Sequence, residues 1–399
     1  MRINDFTSMP WEKYNPKKLM KRKLKFLDPF HCDVLIFDTI GSSWIEECIP
    51  PKCSFRNIDI RDRLPFLLSF GFCFRLIRNF FRLKKDIPYY RSLLWLSCLF
   101  EEINPKIIFT CADNNLPVSQ YALDHPLVQV IFLQNALRDT IGSMPNGTYL
   151  PTYLSLGCIE AEIFKSIGVR YRSYLPVGSV KLGLALAKHL ESDNRSFDIC
   201  FISHYRPELL SNESSDLIRR VEKSHRCLFT NLMTYASVRD LTVVVASKTR
   251  ETDLQDTEYE YFSSLAKGTH FEFIRGDKNT NEFATYLVAL SSSLIVHPAS
   301  TLGFEMFAAG KKVLFGASQQ SDLIYRWGIN HYFDVLPKFV KLSSSSEQEF
   351  VECCDYIRQM PNSDYQNITV KSARKIVAMP EHEYPHEMVR RLLTEYLAR

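Results

Sequence analysis

The stretch Ser293-Leu-Ile-Val-His-Pro-Ala-Ser-Thr-Leu-Gly-Phe-Glu-Met-Phe-Ala-Ala-Gly310, followed by Lys312-Val-Leu-Phe315, decides the fold. Its first apolar run predicts a strand over Ser293–Val296, and Pro298 stops it. Ser300 or Thr301 is placed to cap a helix that Gly310 ends. Lys312–Phe315 reads as the next strand. Strand, tight turn, helix and strand in that order form a unit of parallel sheet. The N–H groups and partial positive charge at the start of such a helix favour phosphate, and the two hydroxyls add donors. His297 is placed to add a hydrogen bond or a positive charge, and Glu305, one turn into the helix, to accept from ribose hydroxyls. The competing reading makes Ser300 and Thr301 ordinary caps and His297 a satisfied loop histidine.

Working outward, the same alternation runs through the chain. Strands are expected at Asp33–Asp38, Lys106–Cys111, Val128–Leu133 and Tyr153–Leu156, then at Phe197–Ser203, Leu241–Ser247, Phe271–Ile274, Ser293–Val296 and Lys312–Phe315. Between the two series, residues 189–196 lack apolar periodicity and mark a boundary. The expected fold is α/β, with two facing Rossmann-like doubly wound domains, residues 1–188 and 197–399, and a cleft between them. A terminal helix within Glu383–Arg399 is expected to pack on one domain, the N-terminal one if it folds back. Ligands in such sheets bind at the carboxyl ends of strands, so functional residues are sought there.

Of 399 residues, 46% are apolar and 24% charged, which excludes a disordered chain and a disulfide miniprotein. Forty-nine basic against 45 acidic residues leave +4, too even for a protein that coats nucleic acid. The 11 cysteines include no CxxC pair, so no zinc site is expected, and several sit in apolar runs as small hydrophobes, which fits a reducing cytosol. The polar, basic N-terminus has no secretory h-region. No run is long enough to span a membrane. The nearest, Leu64–Leu83, is broken by Arg75, Arg78 and Arg82, whose spacing predicts a basic amphipathic helix. With the lysines between Lys13 and Lys25 it is expected to lie on an anionic cytoplasmic leaflet, or else to be a core helix whose arginines snorkel to water.

Further candidates follow other strands. Ser203, His204 and Arg206 come after the first strand of the second half, and Lys248 and Arg250 after the next. A guanidinium or ammonium there can neutralise a leaving phosphate. In the first half, Asp38 and Asp113 end strands, and either carboxylate can act as the base that deprotonates an acceptor hydroxyl; Asp113 is preferred because Asn114 and Asn115 can orient sugar hydroxyls. The alternative for each is an N-cap. Gln134 and Arg138 are expected to contact acceptor or donor.

The run His297-Pro-Ala-Ser-Thr-Leu-Gly-Phe-Glu-Met-Phe-Ala-Ala-Gly-Lys-Lys-Val-Leu-Phe315 resembles the donor-binding strand–turn–helix of GT-B glycosyltransferases, and His297-Pro298 with Ser300-Thr301 resembles the HP and Ser/Thr motifs of bacterial sialyltransferases and related transferases using CMP-activated acidic sugars. The acidic triplet that carries the base in those enzymes is missing here, so no base can be carried over. Gln134–Arg138, Tyr153–Gly157, Leu175–Ser179 and Ser203–Glu208 resemble bacterial surface-carbohydrate biosynthesis proteins. The resemblance implies transfer of a sugar from a nucleotide donor to a surface polysaccharide or lipid-linked acceptor at the cytoplasmic face of the inner membrane. No cofactor or metal is expected, since a helix start and basic side chains can stabilise the leaving phosphate and no DxD triplet is present. The alternatives are a nucleotide-sugar 2-epimerase-like enzyme, a CDP-polyol phosphotransferase and a non-catalytic scaffold.

Overall fold

A computed structural model describes residues 23–38, 43–60, 63–67, 69–83, 89–138, 144–190, 196–205, 216–247, 252–275, 282–316 and 328–398. The chain divides into two units, Met1–Val180 with Pro380–Arg399, and Lys181–Met379. The division falls one helix earlier than the polar break at residues 189–196, because helix Val180–Leu190 belongs largely with the second unit.

In the first unit a short parallel pair joins β1 (Lys23–Leu27) to β4 (Arg63–Leu67). The main sheet contains β2 (Val34–Phe37), β3 (Phe55–Ile58), β5 (Ile107–Thr110), β6 (Gln129–Leu133), β7 (Tyr149–Ser155) and β8 (Arg170–Pro176). All its pairings are parallel, in the order β3-β2-β5-β6-β7-β8. The inner strands are apolar on both faces and wholly buried, as Val34-Leu-Ile-Phe37 and Ile107-Ile-Phe-Thr110 illustrate, because helices cover a parallel sheet on either side. Helix Pro385–Leu397 returns to this unit, burying Val389 and Leu393 and packing at 43–48, where Arg390 donates to the Glu47 carbonyl at 3.0 Å.

The second unit holds β9 (Phe197–Ile202), β10 (Val243–Ala246), β11 (Glu272–Ile274), β12 (Ser292–His297) and β13 (Lys312–Phe315) in the parallel order β11-β10-β9-β12-β13. Both main sheets are doubly wound. In the first the chain steps from β2 out to β3, then crosses to β5 and continues the other way; in the second it steps from β9 through β10 to β11, then crosses to β12. The switch points therefore lie between β2 and β5 and between β9 and β12.

Every expected strand is present, within a few residues, but the helix expected over 64–83 is not one element. Leu64–Leu67 belongs to β4 and the helix runs Phe70–Arg82, with the Ser69 side chain accepting from the Phe72 N–H at 2.9 Å as its cap. Its arginines keep contact with water while pairing with the neighbouring helix Tyr90–Ile103, Arg75 with Glu102 and half-exposed Arg78 with Glu101.

Candidate functional site

At the switch of the second unit, β12 and β9 pair with Val296 opposite Phe201. The chain therefore leaves both strands at one level, which brings Ser203 beside the turn that opens at His297. Ser300 is the N-cap of helix Thr301–Ala308 and Gly310 ends it with φ +77°. The Ser300 side chain makes no capping bond, although its carbonyl accepts from Gly303 and Phe304. Ser300 and Thr301 are half-buried at the surface of the turn. The result is a helix start with a hydroxyl not used in capping, at the carboxyl edge of the sheet, an arrangement suited to an anion.

His297 is not part of that open surface, and the charged role expected of it is corrected. It is fully buried, and burial pushes its pKa down to about 3, so the ring is neutral. Its Nδ1 accepts from the Ser300 N–H at 3.0 Å, which puts the proton on Nε2. That nitrogen lies against Gly303, where a Cβ would come within 2.0 Å of it, and among the described residues it has no hydrogen-bond partner. The imidazole is thus an internal brace that fixes the turn from below. Glu305 is likewise turned inward, buried, and accepts from the Tyr286 hydroxyl at 2.7 Å, so the ribose contact expected of it is not the one it makes.

Ser203 is buried, its Oγ accepting from the Tyr205 N–H at 3.0 Å, and the His204 N–H donates to His225 Nε2 at 3.3 Å. Arg206, Lys248 and Arg250 lie outside the described residues. Ser247, at the end of β10, donates to buried Glu258 at 2.8 Å. A cavity of about 600 Å³ sits at the opposite, amino ends of these strands, among Asp198, Ser292, Lys312 and Arg358. Lys312 there is occupied by the Arg358 carbonyl at 3.0 Å and by that of Met360 at 2.5 Å.

In the first unit, Phe37 pairs with Thr110, so Asp38 and Cys111 leave their strands side by side at the switch. Asp38 is buried with φ +48°, a left-handed backbone that aspartate tolerates better than most residues. Asp113 and Arg138 are brought together. Arg138 donates from Nε to Oδ2 at 2.8 Å and from Nη2 to Oδ1 at 2.5 Å, and the Tyr153 hydroxyl adds a third donor to Oδ2 at 2.9 Å. Burial first, and then the Asp113 charge, push the Tyr153 phenol far above its ordinary range, so it remains a donor. A fully buried carboxylate held this way is a structural anion, not a base offered to substrate. Asn115, two residues on, takes the N-cap role weighed for Asp113, accepting from the Val118 N–H at 3.2 Å. Gln134 is also consumed internally, donating to the Ala136 carbonyl at 2.9 Å and to Glu160 at 2.7 Å and accepting from the Leu156 N–H at 2.8 Å.

Tyr153 as the third member of the Asp113 cluster was not singled out from sequence, and nothing in its strand pattern marks it. Gly303 was also passed over. A glycine three residues after an N-cap was its one available signal.

The UDP-GlcNAc 2-epimerase of Methanocaldococcus jannaschii in complex with UDP-GlcNAc and UDP is similar at TM-score 0.50 and 11% identity, over 92% of this chain and 100% of that one. That of Neisseria meningitidis bound to UDP-GlcNAc aligns at 0.49 and 13% identity over 93% and 100%. The wall teichoic acid polymerase TagF aligns at 0.49 and 12% identity over 92% and 89%. At such identities the likeness is one of fold. No curated protein sequence matches the chain. The model of a family described as "putative O-antigen biosynthesis protein" matches residues 162–394, more than half of the chain, and the chain belongs to that family.

Proposed function

We propose that this protein is a glycosyltransferase that moves a sugar from a nucleotide-activated donor to a surface polysaccharide or lipid-linked glycan. The observation that carries the reading is the turn at 297–301, a helix start at a topological switch point whose N-cap hydroxyl is not spent on the helix. The leaving phosphate is assigned to the opening N–H groups of helix Thr301–Ala308 and to the Ser300 hydroxyl, which stabilise the charge that develops as the sugar–phosphate bond breaks. Membership in an O-antigen biosynthesis family supports a carbohydrate product.

A CMP-activated acidic sugar remains the donor suggested by the His297-Pro298 and Ser300-Thr301 pairs. With His297 braced inward, however, the phosphate contacts left to the turn serve any nucleotide, and selectivity must come from elsewhere. The proton of the acceptor hydroxyl is assigned to Asp38 on its position alone, since it follows β2 at the carboxyl edge where its own sheet reverses.

The test is a thermal-shift panel of CMP, CDP, UDP, GDP and ADP on the full chain, since a ligand that binds only the folded state raises its apparent stability. A shift with CMP alone supports the acidic-sugar donor. A shift with UDP or GDP retains a nucleotide-sugar transferase and removes the CMP preference, and no shift with any of them overturns the donor site.

A further inference from the structure

Helix Phe70–Arg82 carries apolar side chains on a face that is not packed against the unit as well as on its buried one. Its charged flank is tied to the neighbouring helix by ion pairs, with Arg78 and Arg82 half-exposed. Arg75 pairs with Glu102, Arg78 with Glu101, and Arg82 lies 3.8 Å from Glu101. Asn79 is buried and donates to Glu101 at 3.0 Å, and the Tyr90 hydroxyl donates to the Phe80 carbonyl at 2.9 Å. Phe72 is buried with its ring centroid 4.8 Å from that of Phe66. These bonds fix which side of the helix faces out.

The outward side is apolar. Phe70 is 97% exposed, Phe74 67%, Ile77 62% and Phe81 77%. Their spacing of four, three and four residues makes them one stripe along the helix axis. Isolated exposed hydrophobes are ordinary, but a continuous aromatic stripe on a firmly anchored helix marks a contact surface.

Charge in the neighbouring sequence identifies its occupant. Residues 13–25 carry seven lysines and arginines and no acidic residue, and Lys84-Lys85 follow the helix, in a chain whose net charge is only +4. The basic run ends in β1, which pairs along its length with β4, and β4 ends three residues before Phe70. Half-exposed Phe26 of β1 meets Phe66 at 5.9 Å, and Phe66 in turn packs on Phe72. Strand β1 and the aromatic helix are therefore joined through Phe66. A second copy of the chain would bring a second basic run of the same sign. An anionic bilayer offers both acyl chains for the stripe and phosphates for the lysines. Thirteen residues span only about 20 Å, too short to cross the hydrocarbon, so the helix would lie in the interface.

We infer that the Phe70–Phe81 face docks this protein peripherally on an anionic lipid surface. The inference stands apart from the donor assignment, because lipid binding is measured without nucleotide or acceptor. The full chain is sedimented with vesicles of phosphatidylcholine alone and of equal parts phosphatidylcholine and phosphatidylglycerol. Binding to the mixed vesicles is expected, with affinity for phosphatidylcholine alone lower by about tenfold or more. Phe74→Ser with Phe81→Ser should weaken binding to the mixed vesicles by about tenfold or more, with an unchanged melting temperature because both side chains face water. In a separate variant, Ile77→Trp should be quenched by brominated phospholipid in the mixed vesicles. Full binding by the double variant, no quenching at position 77, or no vesicle binding by the wild type would overturn the inference. So would concentration-dependent dimers that the double variant abolishes, which would give the face to a second copy.

Discussion

Arg138 holds Asp113 by both carboxylate oxygens in the interior of the first unit, at 2.8 and 2.5 Å, and Tyr153 closes the group at 2.9 Å. Asp113 is fully buried, and Arg138 nearly so. Removing the cation leaves an uncompensated buried charge, so Arg138→Ala should lower unfolding stability by about 3–5 kcal/mol, while Arg138→Met with Asp113→Leu should recover much of the loss. Arg138→Lys should not, because an ammonium cannot reproduce the fork. Urea denaturation of the four proteins measures this. An Asp113→Asn chain that keeps its stability and loses only turnover would return Asp113 to a catalytic role.

Neutral His297 makes stability depend on pH. Its folded pKa is pushed down to about 3 from 6.5. As pH falls below the unfolded value the denatured chain takes up a proton that the native chain refuses, so this contribution is present above 6.5 and is lost toward about 3, by up to about 1.4 kcal/mol per pH unit. Urea midpoints at about pH 7, 5.5 and 4.5 should fall more steeply for the wild type than for His297→Gln. Parallel curves would mean the ring is accessible to protons in the native state.

Gly303 and His297 form a complementary pair. Gly303→Ala puts a methyl within 2.0 Å of Nε2, and the ring is enclosed by Phe304 and Phe315 and cannot easily yield. The expected cost is about 1–3 kcal/mol. Adding His297→Ala to Gly303→Ala should cost less than the two single losses summed, since the second change removes what the first collides with. Additive losses in urea would show that no such fit exists.

Ser300→Ala separates capping from binding. A working N-cap loses about 0.5–2 kcal/mol on truncation to alanine. Ser300 makes no side-chain capping bond, so its loss should stay within about 0.5 kcal/mol. Affinity for whichever nucleotide shifts the melting temperature should nonetheless fall by about tenfold. A stable chain with unchanged affinity would remove Ser300 from the donor site.

The nine strands read from the sequence are all present because each is a short apolar run, most of them buried on both faces, although edge strand Glu272–Ile274 is only half-buried. The four that were missed carry no such mark. Phe55-Arg-Asn-Ile58 and Arg170-Tyr-Arg-Ser-Tyr-Leu-Pro176 are edge strands with much of their surface in water, and among the described residues β1 and β4 pair only with each other. Parallel register then placed the candidate residues at strand ends, which position along the chain could foresee. What those residues touch could not be foreseen. Asp113 and Arg138 are 25 residues apart and Asp113 and Tyr153 are 40, and only the folded sheet decides that they satisfy one another. The arginines of helix Phe70–Arg82 posed the same difficulty, since their periodicity named a face but not the direction it would take.

The return of Pro380–Arg399 to the first unit bears on the order in which the protein is made. The segment that covers residues 43–48 is translated after the whole second unit. On the ribosome the first sheet must wait, with the surface around Trp44 and Ile45 uncovered, while roughly 200 further residues emerge. A release of the chain before residue 380 would leave the second unit complete and the first one open, so nascent fragments should be recognised by chaperones or proteases through their amino-terminal half.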